Sequence, residues 1–358
     1  MGHETMTLSA VIPRRLLERV RLSPTDVLAS HLQDSGLSDA NVWRVQAADN
    51  SWAVRCWSPK EGLRERLQLI HTAQQQALRS GCQFIAAAIA DRNGSRYLEH
   101  EGRIWEIAPW LPGAPLPTHA GESSLKSQRL RNAMSALAAL HSAWRRLGQQ
   151  TAPPPAVRDR IRRIVDWSRS EGNRWTQQIC ADQTSSHFTQ EWFSPGKYLE
   201  RWLRLAQRAG QWWFHNGADL YQRLVDLQVP QALHASLRDV RRTHILFVDE
   251  HVTGVIDFGS MRPDWPALDL ARYLAESAGS SRELWRELTE QYASSVGNRP
   301  LHVGAVLTLA EATQIIAVDT WVQWLFTAPH RFAPTAPAVI ERLETLETWF
   351  AARTSGAD

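Results

Sequence analysis

The chain has 358 residues, 43% of them hydrophobic and 22% charged, which predicts a folded chain of two domains or two lobes around a sizeable core. Forty Lys and Arg against 37 Asp and Glu leave a formal net charge of +3, and no basic run exceeds the pairs at 14–15, 145–146, 162–163 and 241–242, so nucleic acid is not an expected partner. The three cysteines, Cys56, Cys82 and Cys180, are far apart and form no CxxC pair, which excludes a zinc knuckle or disulfide framework and favours a reducing compartment.

The polar N-terminus MGHETMTLSAV lacks the apolar core of a signal peptide, and the apolar stretches read shorter than the roughly 18 residues of a membrane span. A cytoplasmic protein without a membrane partner is expected; the sequence leaves its oligomeric state open. Seventeen of the 31 aromatic residues are Trp, and these predict core and pocket walls.

Residues 41–48 (NVWRVQAA) and 51–57 (SWAVRCW) are β-rich and flank the turn pair Asp49-Asn50, so two paired strands are predicted. SGLSDAN (35–41) reads as a small-residue loop before them. Over 63–80, Leu67, His71, Gln74 and Leu78 fall on one helical stripe that ends at Gly81. Two further strands are predicted at Tyr97–Glu99 and Ile104–Ile107. PWLPGAPLP (109–117) is a Pro- and Gly-punctuated connector and marks the boundary of the lobes.

Beyond it the pattern is mainly helical. Leu130, Met134, Leu137, His141 and Trp144 share one face of a helix predicted over 127–148. TAPPP (151–155) reads as a stiff linker, 156–210 as Arg- and Trp-rich helical segments, and 211–229 as a helix stopped by Pro230. A hairpin follows at 243–258, then a helix from Asp264, and others over 301–326 and 338–353. The fold class is α+β with two lobes. An antiparallel-sheet N-lobe with one main helix (1–110) precedes a larger, mostly helical C-lobe (111–358), and the pocket lies between them.

The chemistry concentrates in LRDVRRTHILFVDEHVTGVIDFG, residues 237–259. Phosphoryl transfer needs a base for the attacking hydroxyl, oxygen ligands for a metal on the phosphates, and a cation near them. Leu237-Arg238-Asp239 with His244 five residues on, then Asp257-Phe258-Gly259 after a hairpin, follows the order of the kinase catalytic loop and D-F-G. The plainer reading is a hairpin with exposed carboxylates at its ends.

The segment 233–274 resembles the catalytic core of the aminoglycoside phosphotransferase (APH) family of small-molecule kinases, which have the protein-kinase-like fold. That family writes H-G-D-x-x-x-x-N, an I-D-F or I-D-W strand end and a D-L-A helix start. The resemblance implies Asp239 as catalytic base, Asp257 as metal ligand and Asp269 as the D-L-A aspartate. Ala-Leu-His-Ser (139–142) is similar to the family's helix ending in L-H, and EIAPWLPG (106–113) to its hinge, which implies nucleotide contacts at Glu106 and Ile107. ATP and Mg²⁺ are the implied cofactors, and a hydroxyl-bearing small molecule is the implied substrate.

The chain departs from that pattern at three positions. Leu237 replaces His, and His244 stands where Asn would hold metal. Arg55 on the WAVRCW strand stands where the phosphate-binding Lys is expected, keeping the charge in a forked head. Imidazole nitrogen is a softer ligand than an amide oxygen and admits Mn²⁺ beside Mg²⁺. The equally weighted alternative has His244 orienting the loop by a hydrogen bond. For the helix carboxylate that would pair with Arg55, Glu65 is the candidate, although counting back from Gly81 points near His71. His141, His234 and His251 read as structural.

The segment 156–210 holds ten basic residues against six acidic ones, which disfavours a polycationic substrate; the plainer reading is solvated helix faces. An ATP-dependent phosphotransferase is therefore the leading function. A catalytically silent kinase-like module, and a hydrolase using Asp239, His244 and Asp257 as one metal site, are the alternatives.

Overall fold

A computed structural model of the protein describes residues 12–23, 27, 29–32, 40–47, 50–117, 124–170, 173–174, 197–297, 301–322, 324 and 337–354. Its N-terminal part is a five-stranded antiparallel sheet, in the order β1 (Ala29–Leu32), β2 (Ala40–Ala47), β3 (Asn50–Trp57), β5 (Arg103–Pro109), β4 (Leu98–His100). The strand period of two decides what each face carries. Trp43, Val45, Val54, Cys56, Trp105 and Ile107 form an outer apolar layer under the short helix α1 (Arg14–Leu17), through Leu16 and Leu17. The opposite face turns Arg55, Trp57 and Glu106 towards α2 (Leu63–Arg79), whose buried stripe includes Leu67, His71 and Gln74 as expected. Ala47 pairs with Asn50, so the connection is 48–49 rather than Asp49-Asn50, and it lies outside the described residues, as does most of the predicted loop 35–41.

The C-terminal part contains α3 (Ser124–Arg145), α4 (Pro155–Arg169), α5 (Lys197–Asp226), α6 (Ala267–Ser277), α7 (Arg282–Val296), α8 (Val303–Val322) and α9 (Pro337–Thr354). The predicted face of α3 is buried throughout, from Leu130 to Trp144. Sequence reading split α5 near Gly210 and missed α7. It also missed a small sheet of β10 (Arg262–Asp264), β7 (Gln231–Ser236) and β6 (Gln150–Ala152), because strands of three residues carry almost no periodic signal. The supposed linker at 151–155 is half strand and half helix start, with Pro155 in the first turn, where its missing N–H costs nothing.

Among the described residues ten tryptophans are buried, including Trp144, Trp167 and Trp285, which are fully enclosed. Cys56 and Cys82 are buried free thiols, and Cys180 lies outside the described residues. Helix α8 corrects the reading that no apolar stretch is long enough to span a membrane. Val303–Trp321 meets that length and composition, and most of it is packed inside the molecule, with Val306, Leu309 and Ile315 in the core.

Three contacts align the halves. The Trp144 indole N–H donates to the Ala73 carbonyl of α2 at 3.0 Å. The hairpin β8 (Ile245–Val248) and β9 (His251–Val255) is bonded to the connector, Ala114 and Phe247 exchanging backbone hydrogen bonds of 3.0 and 2.8 Å. Val255 N–H donates to the Phe84 carbonyl at 2.7 Å. Gly113 makes the connector's approach possible. Its φ is +107°, and a Cβ there would lie 2.7 Å from the Phe247 carbonyl oxygen and 2.6 Å from Thr253 Oγ1.

His234 on β7 is buried against the His141 ring, 5.6 Å between centroids. Burial, reinforced by His141, pushes its pKa down to about 4 from 6.5. Between those values the unfolded chain binds the proton and the folded chain does not. Stability is therefore complete above pH 6.5 and falls as pH drops towards 4, by about 3 kcal/mol from this group. Thermal denaturation followed from pH 7.5 to 4.5 should show that fall, and His234→Gln should flatten it.

Candidate active site

The loop after β7 is held by its backbone. Leu237 N–H and Arg238 N–H donate to the two carboxylate oxygens of Asp269, at 2.8 and 2.6 Å. Arg238 adopts a left-handed φ of +66°, which turns the chain so that Asp239 faces outward while Leu237 stays in the core. Asp269 is itself fixed by His141, whose Nε2 lies 2.9 Å away, and the Tyr292 hydroxyl meets His141 Nδ1 at 2.8 Å. The consistent assignment puts the imidazole proton on Nε2 and has Tyr292 donating. The L-H and D-L-A segments thus meet as one buried network under the loop, and His141 is structural as expected.

Asp239 is half-exposed in the wall of a cavity of about 780 Å³. Its carboxylate pairs with Arg272 and lies 3.2 Å from Arg241 Nε. Neither arginine was identified from sequence, although the spacing was informative. Asp269 and Arg272 are i and i+3 on α6, so the same helix holds the loop's backbone with one side chain and its acidic side chain with the other.

A 3₁₀ turn, Arg242–His244, leads from this loop into β8. Ile256 N–H donates to the His244 carbonyl at 2.9 Å, which sets Asp257 beside the His244 ring. His244 Nδ1 is 2.9 Å from the Asp239 carbonyl oxygen, the shorter of its two backbone contacts (Arg241 N is at 3.3 Å). That bond puts the ring proton on Nδ1 and points the Nε2 lone pair at Asp257 Oδ2, 3.6 Å away. Burial lowers the pKa of His244 and favours the neutral ring, outweighing the pull of Asp257. The carboxyl of Asp257 is also held low: burial opposes this, and positive charge on His244 where its ring is protonated, with Arg55 and the Gly259 N–H, overcomes it. The two roles weighed for His244 are compatible, because one nitrogen holds the loop while the other is free to accept a cation.

Asp257 has a left-handed φ of +62°, and Phe258 behind it is buried edge-on against Trp144. This anchors a strained carboxylate at the end of the hairpin. Asp257 and His244 stand side by side, Oδ2 and Nε2 3.6 Å apart. Among the described residues no three His, Cys, Asp or Glu side chains are grouped to hold a metal, and Asp239 is turned to its arginines, so the three-ligand hydrolase site has no geometric basis.

On the sheet side, Arg55 lies over the Trp57 ring at 5.2 Å, and its charge acts on Glu106, His244 and Asp257. Glu65 is not near this group: it is exposed on the first turn of α2. The carboxylate beside Arg55 is Glu106, its cross-strand partner on β5. Glu106 is buried, bonded to His71 and to the Trp57 indole, and these contacts with Arg55 hold its carboxyl low against the opposing effect of burial. The helix position reached by counting back from Gly81 therefore carries an imidazole, and the acid sits on the strand instead. Glu106 and Ile107 do not form the expected hinge edge. Glu106 points into this cluster, and Ile107, one residue on, packs in the outer apolar layer while its carbonyl accepts from Ile89 N–H at 2.8 Å.

Six of the nine arginines of 156–210 fall into two groups, and Arg158, Arg169 and Arg174 are exposed. Arg201, Arg204 and Arg208 on α5 pair with Glu344 or Glu347 of α9 and hold the helices together. Arg160, Arg162 and Arg163 on α4 line the cavity with Asp239.

A search of curated proteins finds no match to this chain. Among solved structures, the chain is similar to spectinomycin phosphotransferase APH(9)-Ia, in complex with ADP and spectinomycin, with 9% identity, 92% of this chain and 94% of that one covered, and a TM-score of 0.56. It is also similar to an aminoglycoside phosphotransferase from Alicyclobacillus acidocaldarius, with 15% identity, 96% and 94% coverage, and a TM-score of 0.53. At such identities the likeness establishes the two-lobed kinase-like fold. The sequence model of the phosphotransferase enzyme family matches residues 32–301, from the first strand of the sheet through α7, and by that match the chain belongs to the phosphotransferase enzyme (APH) family.

Proposed function

We propose that the protein transfers the terminal phosphoryl group of ATP to a hydroxyl group of a small molecule. One observation carries this reading: Asp239 faces a substrate-sized cavity, while its own backbone carbonyl orients the imidazole that meets Asp257. A proton acceptor and a metal-binding pair are thereby built on one loop and its hairpin.

In this mechanism Asp239 accepts the proton of the acceptor hydroxyl as its oxygen bonds to phosphorus and the bond to the ADP oxygen breaks. Arg272 and Arg241 fix the carboxylate's direction. Arg55, set beside Glu106 by the β3–β5 pairing and acting on Asp257 and His244, would neutralise charge on the phosphates. Asp257 and the Nε2 of His244 would hold Mg²⁺ or Mn²⁺, and two protein ligands suit an ion that keeps water and phosphate oxygens as the rest of its shell. When bound, the ion neutralises charge on the phosphates.

Purified protein titrated with ATP and Mg²⁺ or Mn²⁺ should gain thermal stability, and ADP release should depend on an added alcohol. Nucleotide stabilisation without transfer to any of a broad panel of alcohols would favour the silent module, the reading for which the double arginine clasp on Asp239 speaks. No nucleotide effect would end both. His244→Asn should shift metal preference: the ratio of turnover with Mn²⁺ to that with Mg²⁺ should fall severalfold, roughly, because an amide oxygen replaces a nitrogen donor.

A further inference from the structure

The cavity that holds Asp239 is strongly cationic. Eleven Lys and Arg side chains line it against four Asp and Glu, and behind the wall Asp264 meets Arg238 at 2.9 Å and Asp319 acts on Arg163. The four carboxylates are already shared. Asp239 serves Arg272 and Arg241, Glu276 meets Arg241 at 3.4 Å, Asp159 meets Arg238 at 2.9 Å and Arg162 at 3.7 Å, and Glu341 pairs with Arg242.

Arg160 is the most telling member. It is only 9% exposed, and its hydrogen bonds go to neutral oxygens, the Thr313 hydroxyl at 2.8 and 3.1 Å and the Ala156 carbonyl at 3.2 Å. Burial, with Arg272, Arg238 and Arg163 nearby, lowers its pKa to about 9, Asp264 opposing. A buried guanidinium in such company is costly to a fold unless an anion offsets it. The rest of the lining mixes hydroxyl and amide side chains with an apolar and aromatic patch of Ile316, Trp321 and Trp324, the two indoles edge to face at 5.3 Å.

We propose that this cavity binds the acceptor through a phosphate group, so that the substrate is an alcohol already carrying phosphate. The inference rests on Asp239 being the base of the proposed transfer, since that is what makes the cavity the acceptor site. Phosphate suits the site better than a carboxylate. It brings nearly two charges and three acceptor oxygens, enough to engage several guanidinium forks at once. A polycation such as an aminoglycoside would meet more cationic than anionic side chains in this lining.

The test uses inorganic phosphate as probe, in thermal denaturation and calorimetric titration, with saturating AMP-PNP so that the nucleotide phosphates' place is taken. Phosphate should stabilise the wild-type protein beyond sodium chloride and sodium acetate at matched ionic strength. Arg160→Gln should weaken its binding about tenfold, the loss of one charge-assisted contact. Arg163→Gln, at an exposed position of the same wall, provides a second reading if Arg160→Gln does not fold. Equal stabilisation by chloride or acetate, phosphate binding abolished by AMP-PNP, or binding indifferent to both variants would overturn the proposal. No turnover is needed. Phosphate binding without phosphoryl transfer would sink the proposed activity and the acceptor reading that rests on it while leaving the anion site standing, and transfer to an uncharged alcohol with no phosphate binding would sink this inference alone.

Discussion

Replacing Asp239 by Asn is expected to lower kcat about a thousandfold while nucleotide-dependent thermal stabilisation persists. The carboxylate is the group in the cavity placed to accept a proton, and Asn keeps its shape without its basicity. The metal-binding pair should be undisturbed, because His244 is held by the backbone carbonyl of residue 239 and not by its side chain. The substitution also leaves Arg272 and Arg241 without their shared carboxylate, so substrate affinity is expected to change as well. The measurement is steady-state kinetics beside ATP-dependent melting. Asp257→Asn should give the complementary result, losing the metal-dependent part of the nucleotide stabilisation. If both variants lost that stabilisation together, the separation of base and metal pair drawn from the geometry would be wrong.

Much of this site was legible in the sequence because its elements are local. Asp239, His244 and Asp257 lie within 19 residues, and one hairpin suffices to bring them together. The long periodic elements α2 and α3 were readable for a similar reason: each buries a continuous stripe whose spacing is visible in the chain. What escaped was non-local pairing. Glu106 comes beside Arg55 only through the β3–β5 register, and strand register depends on partners that periodicity does not name. Choosing Glu65 followed the expectation that the partner of a phosphate-binding cation is an acid on the helix. Here the helix supplies His71, and the acid comes from the strand. The arginines of α4 illustrate the same limit. Their surplus was evident, but whether they faced solvent or a cavity depended on α8 and α9, more than 140 residues away.

Asp269→Asn is expected to destabilise the protein by about 3 kcal/mol and to lower turnover even where the fold survives. Asp269 is fully buried and accepts from three donors, the N–H groups of Leu237 and Arg238 and the Nε2–H of His141. A carboxylate has only acceptors, so it satisfies all three. The amide of Asn must turn its NH₂ towards at least one donor, leaving a buried N–H without a partner. The left-handed turn at Arg238 then loses what holds it, and the strain stored there relaxes by moving Asp239. Stability and activity are therefore coupled at this residue, unlike at Asp239, where only activity is expected to fall sharply. A chemical denaturation series gives the first quantity and kcat at low temperature, where both proteins are folded, gives the second. A stable Asp269→Asn protein with unchanged kcat would show that the loop is held by its own sequence, and that the carboxylate beneath it is filling space.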